Sequence, residues 1–433
     1  MLTPDSYAMQ WLVVLPLEIV SATVTIEYWS HGSVNNDAWV ALFLALIVII
    51  NLFGVKGYGE AEFVFSIIKV VAVIGYIILG IIINVGGGPD GSYIGGKYWQ
   101  DPGAFNHGFK GLCSVFVNAA FAFAGTELVG LAAAETANPR KSLPTAIKQV
   151  FWRITLFYVV SLTLVGLLVP YTNPRLLSAT NSADATASPF VISIVNAGIT
   201  GLPSVFNGVI MIAVLSVGNS SIYGSSRTLA ALAEQNQAPK ILAYIDRKGR
   251  PIVSIGIAFL LGLLGFFAGS ERQKEAFAWM IALSGLSSIV TWASICLAHI
   301  RFRRGWKKQG HTLDELAFRS QPGVIGSWIG FIINCLVLVA QFWTGAWPIV
   351  NEGDPPLTPG GHARSFFQVY LAAPVVIIMY IGYKLWYRTA FIRSYNMDLH
   401  TGIRDLNVSE LIADERAEQA AWPAWRRAYK FFC

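Results

Sequence analysis

Phe63-Val-Phe-Ser-Ile-Ile-Lys-Val-Val-Ala-Val-Ile-Gly-Tyr-Ile-Ile-Leu-Gly-Ile-Ile-Ile-Asn84 runs for 22 residues with one charge, Lys69. A helix of about 20 apolar residues spans the ~30 Å hydrocarbon core of a bilayer. No water is available there to satisfy the backbone, so such a stretch closes its own hydrogen bonds as a helix. Working outward, similar stretches follow one another along the chain. We expect ten spans: Tyr7–Trp29, Ala38–Phe53, Phe63–Asn84, Gly111–Ala134, Phe151–Pro170, Leu202–Ser226, Pro251–Gly269, Phe277–Ile300, Val324–Val350 and Phe366–Tyr387. The expected fold is an all-α integral membrane protein.

Composition agrees. Of 433 residues, 54% are hydrophobic and only 13% charged, against about 25% charged in an ordinary soluble domain. A soluble protein this apolar would expose more apolar surface than water tolerates. The net charge of +6 belongs to particular loops, so it reads as topology and not as a nucleic-acid surface. The windows Val55–Glu62, Glu135–Arg153, Arg227–Arg250, Arg301–Gly323 and the tail from Lys384 hold 24 Lys plus Arg. The alternate loops, between Ser30 and Arg364, hold 6. The basic side should be cytoplasmic, and an even number of spans puts both ends of the chain there.

Gly86–Phe109, with its Gly-Gly-Gly-Pro-Asp-Gly run, reads as an outer loop. Ser409–Ala420 reads as a polar helix before the basic, aromatic end at Cys433. Residues 1–387 therefore form the membrane domain and 388–433 a cytoplasmic tail. Cys113, Cys296, Cys335 and Cys433 have neither metal-ligand spacing nor the look of a disulfide framework. No cofactor or metal is expected. The glycosylation patterns at Asn219 and Asn407 fall in a span and in the tail, and read as chance.

Charges inside a bilayer cost several kcal/mol unless partnered, so each is a functional candidate. Glu18, Lys69 and Glu127 stand out; the alternative for each is a structural ion pair. In Phe121-Ala-Phe-Ala-Gly-Thr-Glu-Leu-Val-Gly130, small residues surround Gly125 at mid-helix. They suit close helix packing or a break in the helix. A break would free backbone groups to bind a zwitterion, N–H groups at the carboxylate and carbonyls at the ammonium. A lysine in apolar surroundings can gain and lose its proton near neutrality, although one at the position of Lys69 can also snorkel to the interface. Ser216-Val-Gly-Asn-Ser-Ser221 and Ala282-Leu-Ser-Gly-Leu-Ser-Ser288 serve either as interhelical contacts or as a cavity wall.

Phe123-Ala-Gly-Thr-Glu-Leu-Val-Gly130 and Glu135-Thr-Ala-Asn-Pro-Arg-Lys-Ser-Leu-Pro-Thr-Ala-Ile147 resemble the sixth membrane helix and following loop of fungal amino-acid permeases. These belong to the amino acid–polyamine–organocation superfamily. Gln10-Trp-Leu-Val-Val-Leu-Pro-Leu-Glu18, Gly59-Glu-Ala-Glu-Phe-Val-Phe-Ser-Ile-Ile-Lys-Val70, Leu215-Ser-Val-Gly-Asn-Ser-Ser-Ile-Tyr223, Ser226-Arg-Thr-Leu-Ala-Ala-Leu-Ala-Glu234 and Phe277-Ala-Trp-Met-Ile-Ala-Leu-Ser-Gly-Leu-Ser287 extend the similarity over nearly the whole chain. The resemblance implies a twelve-helix fold, two inverted repeats of five plus two. The first span here becomes the family's third, and the expectation is that a misplaced predicted start removes two helices.

The implied function is proton-coupled amino-acid uptake by alternating access at the plasma membrane, driven by the proton gradient. By this resemblance the substrate site includes Phe123, Ala124, Gly125, Thr126 and Glu127. Glu18 and Ser284 shape its pocket, Lys69 and Glu127 couple the proton, and Cys433 is a lipidation candidate. The substrates are expected to be neutral or varied amino acids. The partners are the substrate, protons and the bilayer, with no nucleic acid, and trafficking and ubiquitination machinery at the tail. Leu411 and Ile412 are its expected hydrophobic contact. Two other readings stay open: a non-transporting sensor on the same scaffold, and an inactive truncated permease. An enzyme is not expected, since neither a nucleophile motif nor suitably paired carboxylates are present.

Overall fold

The computed structural model describes residues 4–132, 139–177, 188–269, 273–316, 319–350, 358–399 and the tail positions 401, 422–423 and 425. Among these the regular structure is entirely helical. The first three helices, α1 (Pro4–Ser30), α2 (Asn36–Leu52) and α3 (Gly54–Asn84), follow almost without loops. Next come the short pieces α4 (Gly108–Ser114), α5 (Phe116–Phe123) and α6 (Leu128–Ala132). Beyond them, α7 (Pro139–Arg153) runs through a π-helical stretch, Ile154–Val160, into α8 (Ser161–Leu168). After α9 (Pro174–Leu177) and α10 (Pro189–Asn196) comes α11 (Leu202–Glu234). The remainder is α12 (Ile252–Gly262) with a 3₁₀ extension, α13 (Gln273–Lys308), α14 (Gly323–Ala346), α15 (Pro359–Tyr370) and α16 (Ala372–Tyr387).

In α14 burial is inverted relative to a helix of a water-soluble bundle. The buried residues are Gln341, Thr344 and Gly345. Its outward positions are Ile325, Ile329, Ile333, Leu336 and Val339, each more than half exposed. Water does not tolerate a surface of that size and kind, whereas lipid does. The centre is occupied by α1, packed against α11, α13, α2 and α12. Leu15, Leu17, Ile19 and Val20 of α1 meet Val40, Phe43, Leu44 and Ile47 of α2 and Leu215 and Ile222 of α11. Glycines allow the close crossings. A methyl group on Gly262 would lie 2.6 Å from Leu44 Cδ1, and one on Gly218 2.9 Å from Ile47 Cδ1.

The ten expected spans differ in length and continuity. Among the described residues, seven segments are long and apolar enough to cross alone: Ser6–Ser30, Gly54–Asn84, Gly108–Leu131, Ser142–Leu168, Leu202–Glu234, Ala276–Lys308 and Gly323–Ala346. The pair α15 and α16 is bent by 68° and supplies one more crossing if taken together. Two expected spans are shorter apolar helices, Asn36–Leu52 and Ile252–Phe266. The span expected over Gly111–Ala134 is interrupted after Phe123.

Several windows read as loops are largely helical. Residues 55–62 open α3, 139–153 form α7, 227–234 close α11 and 301–308 close α13. A helix already nucleated in the membrane propagates into water at little cost, and Lys307 and Lys308 in the last turn of α13 favour the negative end of its dipole.

Candidate functional site

The interruption of the Gly108–Leu131 segment is built by Gly125. Its φ of +94° lies where an L side chain is strained. A Cβ there would also stand 3.3 Å from Cη2 of buried Trp11. Around it the i→i−4 ladder gives way to three-residue turns. Ala124 N–H donates to Phe121 O, Thr126 N–H to Phe123 O, and Leu128 N–H to Gly125 O. The Ala122 carbonyl accepts from Tyr158 Oη at 2.9 Å, and the Phe123 ring lies against the Tyr158 ring. The Gly125 N–H points to Glu127 Oε1 at 3.3 Å, while Glu127 Oε2 accepts from Trp292 Nε1 at 3.1 Å. Glu127 thus ties the break to α13.

Beside the break lies a cavity of about 300 Å³, at the lower end of small-molecule sites. Its walls are Lys69 on α3, the turn Phe123–Thr126, Arg153 on α7 and Phe157 and Tyr158 on the π-helical stretch. Lys69 is partly buried and engaged: Nζ lies 3.2 Å from Glu62 Oε1 and donates to Ser216 Oγ on α11 at 2.6 Å. The Ser216 hydroxyl donates in turn to Glu62 Oε1 at 2.5 Å.

The expected site residues therefore divide. Phe123, Ala124, Gly125 and Thr126 share the cavity with Lys69. Glu127 faces a second cavity of about 280 Å³, lined also by Tyr7, Thr228, Gln235 and Thr291. Glu18 and Ser284 line neither cavity. Glu18 is buried on α1, its Cβ 3.6 Å from where a Gly218 methyl would stand. Ser284 is fully buried on α13, and its hydroxyl has no hydrogen-bond partner among the described residues. Cys433, Leu411 and Ile412 lie outside the described residues. Among those described, no group of three His, Cys, Asp or Glu side chains is placed to hold a metal.

Four residues at these sites carry no expected role from sequence. Glu62 was signalled by its spacing, seven residues before Lys69 and so on the same helical face. Trp292, Tyr158 and Arg153 reach the break from other helices, and nothing local marks them.

Comparison with known proteins supplies the family. The sequence pattern of the amino acid permease family matches residues 3–394. The chain is 59% identical to the general amino-acid permease GAP2 of Candida albicans, over 99% of this chain and 72% of that protein. It is 56% identical to the general amino-acid permease GAP1 of Saccharomyces cerevisiae, over 99% and 71%. With the histidine permease of Saccharomyces cerevisiae the identity is 49%, over 96% and 68%. These relatives are permeases, transporters and not enzymes, and the chain belongs to the amino acid permease family.

Proposed function

We infer that the chain imports amino acids together with protons, by alternating access at the plasma membrane, with both termini in the cytoplasm. One observation carries this reading: a membrane-embedded lysine and an interrupted helix line the same cavity. Backbone groups at a break suit the two charges of a zwitterion. An ionisable group beside them is what a proton-linked cycle requires. Phe123–Glu127 form the substrate site, Lys69 and Glu127 couple the proton, and buried Glu18 and Ser284 tune the pocket from behind. The proton gradient is the driving force and no cofactor takes part. The names of the two general permeases support varied amino acids as substrates. The tail offers the surface for trafficking and ubiquitination factors, with Leu411 and Ile412 as contact and Cys433 as lipid site.

The test is uptake of labelled amino acids in cells lacking their own permeases. Lys69→Met and Glu127→Gln should each abolish concentrative uptake while surface expression stays normal. Unimpaired proton-driven uptake in either variant removes that residue from the mechanism. A wild-type chain that binds amino acids but moves none supports the sensor reading instead.

A further inference from the structure

Lys69 is one member of a closed triangle. Glu62 Oε1, Lys69 Nζ and Ser216 Oγ lie at 3.2, 2.6 and 2.5 Å from one another around it. Only Lys69 of the three has a role in the mechanism proposed so far. Two of the members sit on α3, separated by seven residues, or about 10 Å along the axis. Glu62 is the one nearer the basic, cytoplasmic end of the helix. Among the described residues it is also the only carboxylate within ion-pair distance of Nζ. Its own two oxygens are unequal. Oε1 takes both donors, while Oε2 is buried without a hydrogen-bond partner among the described residues. A buried carboxylate oxygen without a donor is costly, and Oε2 is left with an acceptor position to spare.

We propose that Glu62 is the acceptor that takes the proton from Lys69 on its way to the cytoplasm, with Ser216 as the bridge between them. This rests on the symport reading. The transfer balances without any other reactant. An N–H bond of the lysine ammonium breaks, its electron pair stays on nitrogen, and an O–H bond forms on Glu62 Oε1. Through the bridge, Ser216 gives its hydroxyl proton to Oε1 as it receives one from Nζ. Both end states carry zero net charge over the triangle, so the step adds no charge to the membrane interior, where charge is expensive.

The neighbouring elements bring other titratable groups toward the triangle. From α7 and the π-helical stretch come Arg153 and Tyr158. From α11 come Tyr223 and Arg227, further toward its basic end. Lys56, Tyr58 and Glu60 lie on α3 itself, where Lys56 and Glu60 pair at 3.8 Å. α8 has no titratable side chain, and the one on α2, Asp37, is in its first turn.

The full chain is purified, reconstituted in liposomes and assayed two ways: amino-acid exchange with no proton gradient, and accumulation driven by an imposed pH gradient. E62Q keeps the hydrogen-bond geometry but cannot carry the proton. Its exchange should stay near wild type, while gradient-driven accumulation falls by roughly 10-fold or more and its dependence on pH flattens. E62Q that accumulates substrate with the wild-type pH profile overturns the proposal. Where E62Q does not insert, E62A is assayed instead. It removes the carboxyl altogether, and undiminished coupling in E62A overturns the proposal equally. A wild-type chain that exchanges substrate but ignores the pH gradient overturns the symport reading itself, an outcome separate from failure of Glu62 alone.

Discussion

At Gly125 a single hydrogen atom in place of a side chain decides the shape of the candidate site. Gly125→Ala should strain the backbone by about 1–3 kcal/mol and drive a methyl group to 3.3 Å from Trp11. We expect initial uptake to fall roughly 10-fold or more, because small misplacements in a site are costly; uptake normalised to surface protein measures this. Outside the membrane, the Thr312–Glu315 cap gives a pH-dependent counterpart. The Thr312 backbone N–H, the His311 side chain and the Thr312 hydroxyl hold the Glu315 carboxyl down to about 2. A depressed carboxylate stabilises the folded turn fully above its ordinary range and loses that contribution as pH falls from there toward 2. Protection from hydrogen exchange at residues 312–316 should therefore hold from neutrality to about pH 5 and fall below it, and Glu315→Ala, which removes the acceptor, should lower protection throughout. Sequence made Gly125 and Glu127 readable because charge and helix-breaking freedom are local properties. It left Glu62 unassigned because its role depends on which face of α3 meets Ser216, and Trp292 because it approaches from about 165 positions away.

Elements in this protein meet through small residues and aromatic layers. A methyl on Gly285 of α13 would stand 2.7 Å from the Val117 carbonyl oxygen on α5. Gly285→Ala should thus push α5 outward, weaken the break it leads into and lower thermal stability; a fluorescence-monitored melting shift downward by several degrees, with reduced uptake, is expected. At the basic end of α3, Tyr58 stacks on Tyr223 of α11 at 4.2 Å, and Arg227 covers the other face of Tyr223 at 3.7 Å. Tyr58→Ala should loosen this layer and raise labelling of a cysteine placed at Ser220, whose hydroxyl now lies 3.1 Å from Tyr58 Oη. The helices themselves were legible, since apolar length is a one-dimensional signal. Their ends and bends were not. Lys, Glu and Arg in a last turn read as loop although they propagate a helix well, and the 68° bend at Leu371 was passed over although Pro374 marks it, having no N–H to bond the Tyr370 carbonyl.

For the molecule as a whole, the basic windows predict one orientation. A C-terminal epitope should be hidden from external antibody in intact cells, and one inserted in Gly86–Phe109 should be reached by it. Detection of the C-terminal epitope on intact cells would reverse the topology. Part of the tail is also fixed to the bundle. Arg301 donates to the Ile392 carbonyl and covers the Phe391 ring, Lys308 covers the Tyr395 ring, and Gln309 donates to the Met397 carbonyl. These contacts sit on the last turns of α13, whose 36 residues extend about 54 Å, well past the ~30 Å hydrocarbon core. A rod of that length works as a lever. Rocking it by about 10° around its middle sweeps the tip through ~5 Å, and the tail strapped there travels with it. The bilayer-embedded position of α13 is thereby displayed to the aqueous phase as the whereabouts of Phe391, Tyr395 and Met397.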